Sequence, residues 1–257
     1  MGSAQANPDS QSPRPGQEET LVAHLAELRI RLIRALIAII VASAVCWIYS
    51  ETIFDLIRAP IMPFLKVGSG GGLVFTAPMD KFLAHIKVAL FSGLIVASPY
   101  WLWQIWQFVA PGLYVKEKRF ALIFMGAGTV LFLAGVSFVY FVVYPLAFEY
   151  LMQFGGTTDM PMITISEYLS FFTTTTIVFG LAFELPLILV LLGMAGIIDQ
   201  KFLREKRRYA VVALAVVSAV ATPPDILSMI LMMGPMLFLY EISVLLVGRI
   251  GSAKTPE

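Results

Sequence analysis

The chain has 257 residues, 58% of them apolar and 14% charged, with a formal net charge of +1. A soluble domain carries roughly 25% charged residues, so this composition argues for one integral membrane domain without a separate soluble one. The single Cys46 excludes an intrachain disulfide, and His24 and His85 lie too far apart in sequence to suggest a metal centre. No metal, cofactor or nucleic-acid partner is expected.

Residues 1–20 are rich in Pro, Ser, Gln and Asn and contain no apolar run, which predicts a disordered tail. They lack the apolar core of a signal peptide. The first span is expected at 32–49, followed by an external segment over 50–80. The start of that segment, 53–57, is apolar and suits a short interfacial helix before Pro60 and Pro63 break it. The glycines of 68–72 suit a flexible turn. A second span is expected at 82–108 with a kink at Pro99, and a third at 120–144, closed by Pro145. After a polar turn at 155–162, Thr164-Ile-Ser-Glu167 has capping-box spacing and opens a fourth span reaching to about Met194. Asp199 then caps a basic helix over 201–208. The last apolar runs, 209–221 and 226–247, are separated only by Thr222-Pro-Pro-Asp225.

These elements predict an all-α membrane domain of six helices over 21–250, with a short tail at 251–257. The fifth span is the shortest: as a helix, 209–221 is ~20 Å long against a hydrocarbon core of ~30 Å. Either a short spanning pair or a re-entrant hairpin fits, and the spanning pair is favoured because Arg207 and Arg208 can snorkel. Orientation follows from the basic residues. One side holds Arg29, Arg31 and Arg34, then Lys116, Lys118 and Arg119, then five Lys or Arg between 201 and 208, then Arg249. The other side offers Arg58, Lys66, Lys81 and Lys87, while its second and third loops hold none, so both termini are expected in the cytoplasm.

Glu184 stands alone as a charge within 179–192, two residues before Pro186. A carboxylate at the centre of a membrane helix costs on the order of 2.5–3.5 kcal/mol, so it is expected to face the bundle interior or a wet cavity. Sequence signatures for phosphate binding, zinc proteolysis and serine hydrolysis are missing, which argues against an enzyme. Three features remain on the basic side. In His24-Leu-Ala-Glu27-Leu-Arg29-Ile-Arg31, Glu27 and Arg31 fall one helical turn apart and can pair; an ordinary amphipathic entry helix would look the same. Pro111 and Gly112 end the second span and put Glu117 in a short basic loop. The basic run 201–208 by itself reports topology. Glu241, in the last span, suits an interfacial position or a pair with Arg249.

Taken in order, these segments resemble the TatC family, the multispanning subunit of the twin-arginine protein translocase, along nearly all of the chain from His24 to Arg249. The matching residues are His24-Leu-Ala-Glu27-Leu-Arg29, Ala59-Pro60, Gln104-Ile-Trp106-Gln-Phe108-Val-Ala-Pro111-Gly-Leu-Tyr114 and Glu117 in its basic loop. They continue with Tyr140-Phe-Val-Val-Tyr-Pro145-Leu-Ala-Phe148, Phe183-Glu184-Leu-Pro186, Lys206-Arg-Arg-Tyr209, Thr222-Pro-Pro-Asp225 and Glu241.

The resemblance implies a core receptor in the bacterial cytoplasmic (inner) membrane that binds paired-arginine signal peptides of folded cargo. Export would be driven by the proton-motive force, with single-span TatA- and TatB-type subunits and self-association in a larger complex. It implies signal-peptide contacts at Glu27, Arg29, Phe108 and Glu117, with Glu184 on a concave surface of the bundle where it meets lipid headgroups, water or a partner's polar group. Pro60 and Asp225 are implied as structural residues of the external loops. Two adjacent guanidinium groups call for carboxylates, which bind them bidentately. Two other classes use the same residues: a proton-coupled small-solute transporter titrating Glu184, and a passive membrane scaffold that reads no peptide.

Overall fold

The computed structural model describes residues 15–65, 72–109, 118–153, 162–221 and 226–252. Among them the chain is nearly all helical, and the one extended pairing is an isolated parallel bridge between Val74 and Thr164. Glu117 and Asp225, the termini 1–14 and 253–257, and most of the turns expected at 68–72 and 155–162 lie outside the described residues.

Helix α1 runs Pro15–Ile48, so residues 15–20 of the expected tail are helical. Its outer surface exposes Leu32, Leu36, Ile40 and Val45, as a helix solvated by lipid does. Helix α2 (Ser50–Arg58) is the short amphipathic element foreseen at 53–57, one turn longer than expected. It buries Ile57 and half-buries Ile53 and Phe54 while exposing Glu51 and Asp55, the one-sided pattern of a helix lying against a surface. Pro60 lies half-buried in the turn between α2 and α3 (Met62–Leu65).

Helices α4 (Asp80–Val96) and α5 (Ser98–Val109) form the second span, bent by 56° where Pro99 was expected to kink it. The bend frees the Leu94 carbonyl from its helical partner, and the Trp101 indole donates to it at 2.9 Å. α1 packs along both pieces. At Gly93 a Cβ would overlap the backbone of Ser43, so glycine sets how closely α1 and α4 approach.

The third span departs from expectation. Pro145 does not close it: α6 (Lys118–Phe138) passes through a π-helical turn at Val139–Val143 into α7 (Tyr144–Gln153). The π turn widens the hydrogen-bond register, with Tyr144 N–H bonding the Val139 carbonyl, so Pro145 falls in the first turn of α7, where a missing N–H costs nothing. The fourth span begins as read: Thr164 caps α8 (Ile165–Ala182) and accepts from the Glu167 N–H at 3.2 Å. It is broken at Phe183–Glu184 and resumes as α9 (Leu185–Met194), because Pro186 supplies no N–H to the last turn of α8.

Asp199 caps α10 (Gln200–Glu205), accepting from the Phe202 N–H at 2.6 Å. The single basic helix expected over 201–208 is thus two pieces, since Arg207 and Arg208 open α11 (Arg207–Ala221). Helix α12 (Ile226–Ser252) completes the chain, packing on α9 and α11. Among the described residues, four segments are long and apolar enough to cross a membrane: Ala26–Ile48, Gly126–Gln153, Ile165–Met194 and Met229–Arg249; the bent α4–α5 pair, taken as one span, makes five. The 15 residues of α11 fall short of that length.

Candidate functional site

Of the residues expected to bind a peptide, Glu27 and Phe108 are brought to one place by a side-chain bridge. Arg31, one turn beyond Glu27 on α1, donates from Nε to Glu27 Oε1 at 2.9 Å and from Nη2 to the same oxygen. Its Nη1 donates to Gln107 Oε1 on α5. The entry helix is therefore tied to the end of the second span at the residue preceding Phe108. Phe108, Leu28 and Arg31 line one apolar groove of about 230 Å³, continued by Leu32, Trp101 and Ile105. The Glu27 side chain is 46% exposed and that of Arg31 18%, so the carboxylate is open to water while the guanidinium is partly covered. Arg29 is exposed on α1. At about 100° per residue it points roughly 200° away from Glu27, and the two do not share a face.

A second polar place lies at membrane depth. Glu184 sits in the break between α8 and α9, in non-helical register: its N–H bonds the Leu181 carbonyl at 3.1 Å, one residue short of the helical partner. Its side chain is only 4% exposed. Trp106 of α5 and Gly128 of α6 meet it there: a Cβ on Gly128 would lie 2.6 Å from Trp106 Nε1 and 3.2 Å from Glu184 Oε2. The missing side chain of Gly128 thus makes the space in which indole and carboxylate lie. The Trp106 indole N–H is a donor directed at the Glu184 carboxylate but short of a hydrogen bond of normal geometry, and no other described residue pairs with either oxygen. A cavity of about 360 Å³, lined by Trp101, Trp106, Glu184 and Leu191 among others, opens beside them. The carboxylate is thus buried without a hydrogen bond of normal geometry, with a cavity at its side.

Among the described residues there is no cluster of His, Cys, Asp and Glu that could hold a metal ion. A model of the family "Sec-independent protein translocase protein (TatC)" matches residues 23–235. The chain belongs to the TatC family. It is 42% identical to the Sec-independent protein translocase protein TatC of Campylobacter jejuni, over 91% of this chain and 96% of that one. It is 36% identical to the protein of that name from Desulforapulum autotrophicum, over 95% and 90%. A crystal structure of the twin-arginine translocase receptor TatC superposes with a TM-score of 0.81 at 35% identity, covering 89% of this chain and 99% of that one. As a TatC-family member the chain is a core translocase subunit and not an enzyme.

Three members of these sites, Gln107, Trp106 and Gly128, were given no role by the sequence reading. Arg31 was seen only as a partner of Glu27; its second bond, to Gln107, joins residues 76 positions apart. Gly128 had no signal, because a glycine in an apolar helix is commonplace until its neighbours are known. Glu241 accepts from Arg207 Nη2 at 2.6 Å, joining α11 to α12, rather than pairing with Arg249, one of the two positions expected for it.

Proposed function

We propose that this chain is the signal-peptide receptor of a twin-arginine translocase, binding paired-arginine peptides of folded cargo at a cytoplasmic site made by Glu27, Phe108 and Glu117. The observation that carries this reading is the Glu27–Arg31–Gln107 bridge, which sets an exposed carboxylate beside an apolar groove ending in Phe108. A twin-arginine signal peptide has the matching composition: guanidinium groups for the carboxylates and an apolar stretch for the groove. Glu117, within the next basic loop, supplies the second carboxylate, and Arg29, on the far side of α1, discourages binding of other cations.

Six crossings with both termini in the cytoplasm fit the basic side of the sequence, with α11 as a short fifth span of ~22 Å. Pro60 and Asp225 then hold the outer loops, and Glu184 takes a polar group of a single-span TatA- or TatB-type partner. The proton-motive force drives export, and several copies assemble with these partners in the inner membrane. Crosslinking of the full chain to a twin-arginine peptide, compared with its twin-lysine counterpart, tests the reading. Strong preference for the arginine peptide, lost on Glu117→Lys, is expected; equal capture of both peptides overturns it.

A further inference from the structure

Arg31 is itself a guanidinium seated on the carboxylate proposed to receive a guanidinium, and the details of its seating are informative. A complete Arg–carboxylate fork uses both carboxylate oxygens. Here Nε and Nη2 both donate to Glu27 Oε1, and Oε2 receives no bond from Arg31. An arriving arginine can therefore touch Oε2 before Arg31 has left, so the carboxylate need never stand unpaired during an exchange. Arg31 also has somewhere to go. Its Nη1 is already held by Gln107 Oε1 on α5, so giving up Glu27 does not strand a partly covered charge without an acceptor. The bond being given up joins residues four apart on one helix, with the carboxylate about half exposed, a class of ion pair weak enough to exchange.

We propose that Arg31 is a built-in stand-in for a peptide arginine: it occupies Glu27 in the free protein and yields it, retained by Gln107, when the peptide's guanidinium arrives. This rests on the reading of Glu27 as a receptor carboxylate. It makes Arg31 a specificity-determining residue that touches the peptide's acceptor rather than the peptide. The carboxylate is held in a setting already shaped for a planar multi-donor group. A peptide arginine reproduces the contacts that Arg31 gives up, whereas the compact ammonium of lysine replaces them with fewer directed bonds. The cost is affinity, since only the fraction of molecules with Glu27 released binds at full strength.

The test uses the full-length protein in lipid nanodiscs and a fluorescent synthetic twin-arginine peptide. Arg31→Met deletes the guanidinium and keeps an apolar stem beside Leu28 and Phe108. It should lower the peptide Kd by roughly three- to tenfold, as expected if the competent fraction is about a tenth to a third. Arg31→Gln, an uncharged polar replacement, should act in the same direction and serves if the methionine variant does not fold. In a Glu27→Gln background the substitution at Arg31 should change nothing, because there is no carboxylate left to release. A clamp that merely orders α1 against α5 predicts the opposite sign, and weakened or unchanged peptide binding by folded Arg31 variants overturns the proposal. If Glu27→Gln alone leaves the Kd unchanged, the receptor reading of Glu27 fails. If Glu27→Gln weakens binding while Arg31→Met does not tighten it, only the stand-in fails.

Discussion

Where α2 docks, the bundle is fastened by neutral hydroxyls; where α1 enters, it is fastened by charges. At the first end, Tyr168 donates to the Ile57 carbonyl at the end of α2, and Tyr140 donates at 2.8 Å to the Leu56 carbonyl, which the Ala59 N–H also bonds. Tyr144 lies stacked on Phe172 at 4.5 Å and bonds its carbonyl at 2.6 Å, fully buried. At the other end, Glu27–Arg31–Gln107 and Arg207–Glu241 join helices through ionic side chains, of which Glu27, Arg207 and Glu241 are about half exposed and Arg31 is partly covered. Buried neutral bonds have no competitor and hold permanently. Exposed ionic ones compete with water, salt and any ligand of like chemistry, so only the second kind can be traded for a partner.

The largest effect should come from breaking the neutral end. Tyr144→Ala removes a buried ring stacked against Phe172 and Phe148 and should cost about 3–5 kcal/mol, read as lower thermal stability in detergent. Tyr144→Phe keeps the ring and loses only the bonds to Phe172 and Thr176, for about 1 kcal/mol. Affinity for a twin-arginine peptide should be unchanged in the folded fraction of both. A Tyr144→Phe variant of full stability that loses peptide binding would erase the division between the two ends.

Next come the carboxylates of the charged end, where the contrast should invert. Glu117→Ala should weaken peptide binding by about 1.5–3 kcal/mol, roughly ten- to a hundredfold, and Glu117→Lys by more, with the melting temperature unmoved. Glu27→Gln keeps the size of the side chain and deletes its charge, and should lose affinity comparably. Losses that simply add in the double variant, within about 0.3–0.5 kcal/mol, would separate the two residues into independent sites. A smaller effect belongs to the Thr164 cap. Thr164→Ala should cost about 1 kcal/mol in melting experiments and leave binding alone, since α8 starts at the neutral end, tied to the loop at Val74.

The sequence revealed what depends on local chemistry. The Thr164 and Asp199 caps, the bend at Pro99 and the amphipathic α2 are written within a few residues, and each is found where the local pattern puts it. Pro145 misled for the complementary reason: whether a proline ends a helix depends on the register of the turn before it, and a π turn leaves no mark in composition. The split of the basic run between α10 and α11 at Lys206 likewise has no signal in the local sequence. At the sites, single residues of unusual chemistry were legible, Glu27 and Glu184 above all. Their partners Gln107, Trp106 and Gly128 were not, because a pairing across 76 residues or a space left by a glycine exists only after folding.

Glu184 belongs to neither end, and the smallest expected change in stability is the one that defines it. Its burial resembles that of the tyrosines, yet its oxygens close no normal hydrogen bond with a described residue. Were it a fastening like Tyr144, replacement would cost stability as Tyr144→Phe does. An unpaired carboxylate instead carries a desolvation penalty that disappears with the group. Glu184→Ala should therefore leave the melting temperature in detergent unchanged, or raise stability by up to about 1 kcal/mol, while export of a folded reporter falls. Glu184→Gln should retain part of the export, because an amide still accepts one hydrogen bond from a partner's donor in the adjoining cavity. Peptide binding should fall less than export in both, although Trp101 and Ile105 line both the Phe108 groove and the Glu184 cavity. A variant that loses stability and export in proportion would make Glu184 a fastening after all, and would require a partner for it inside the fold.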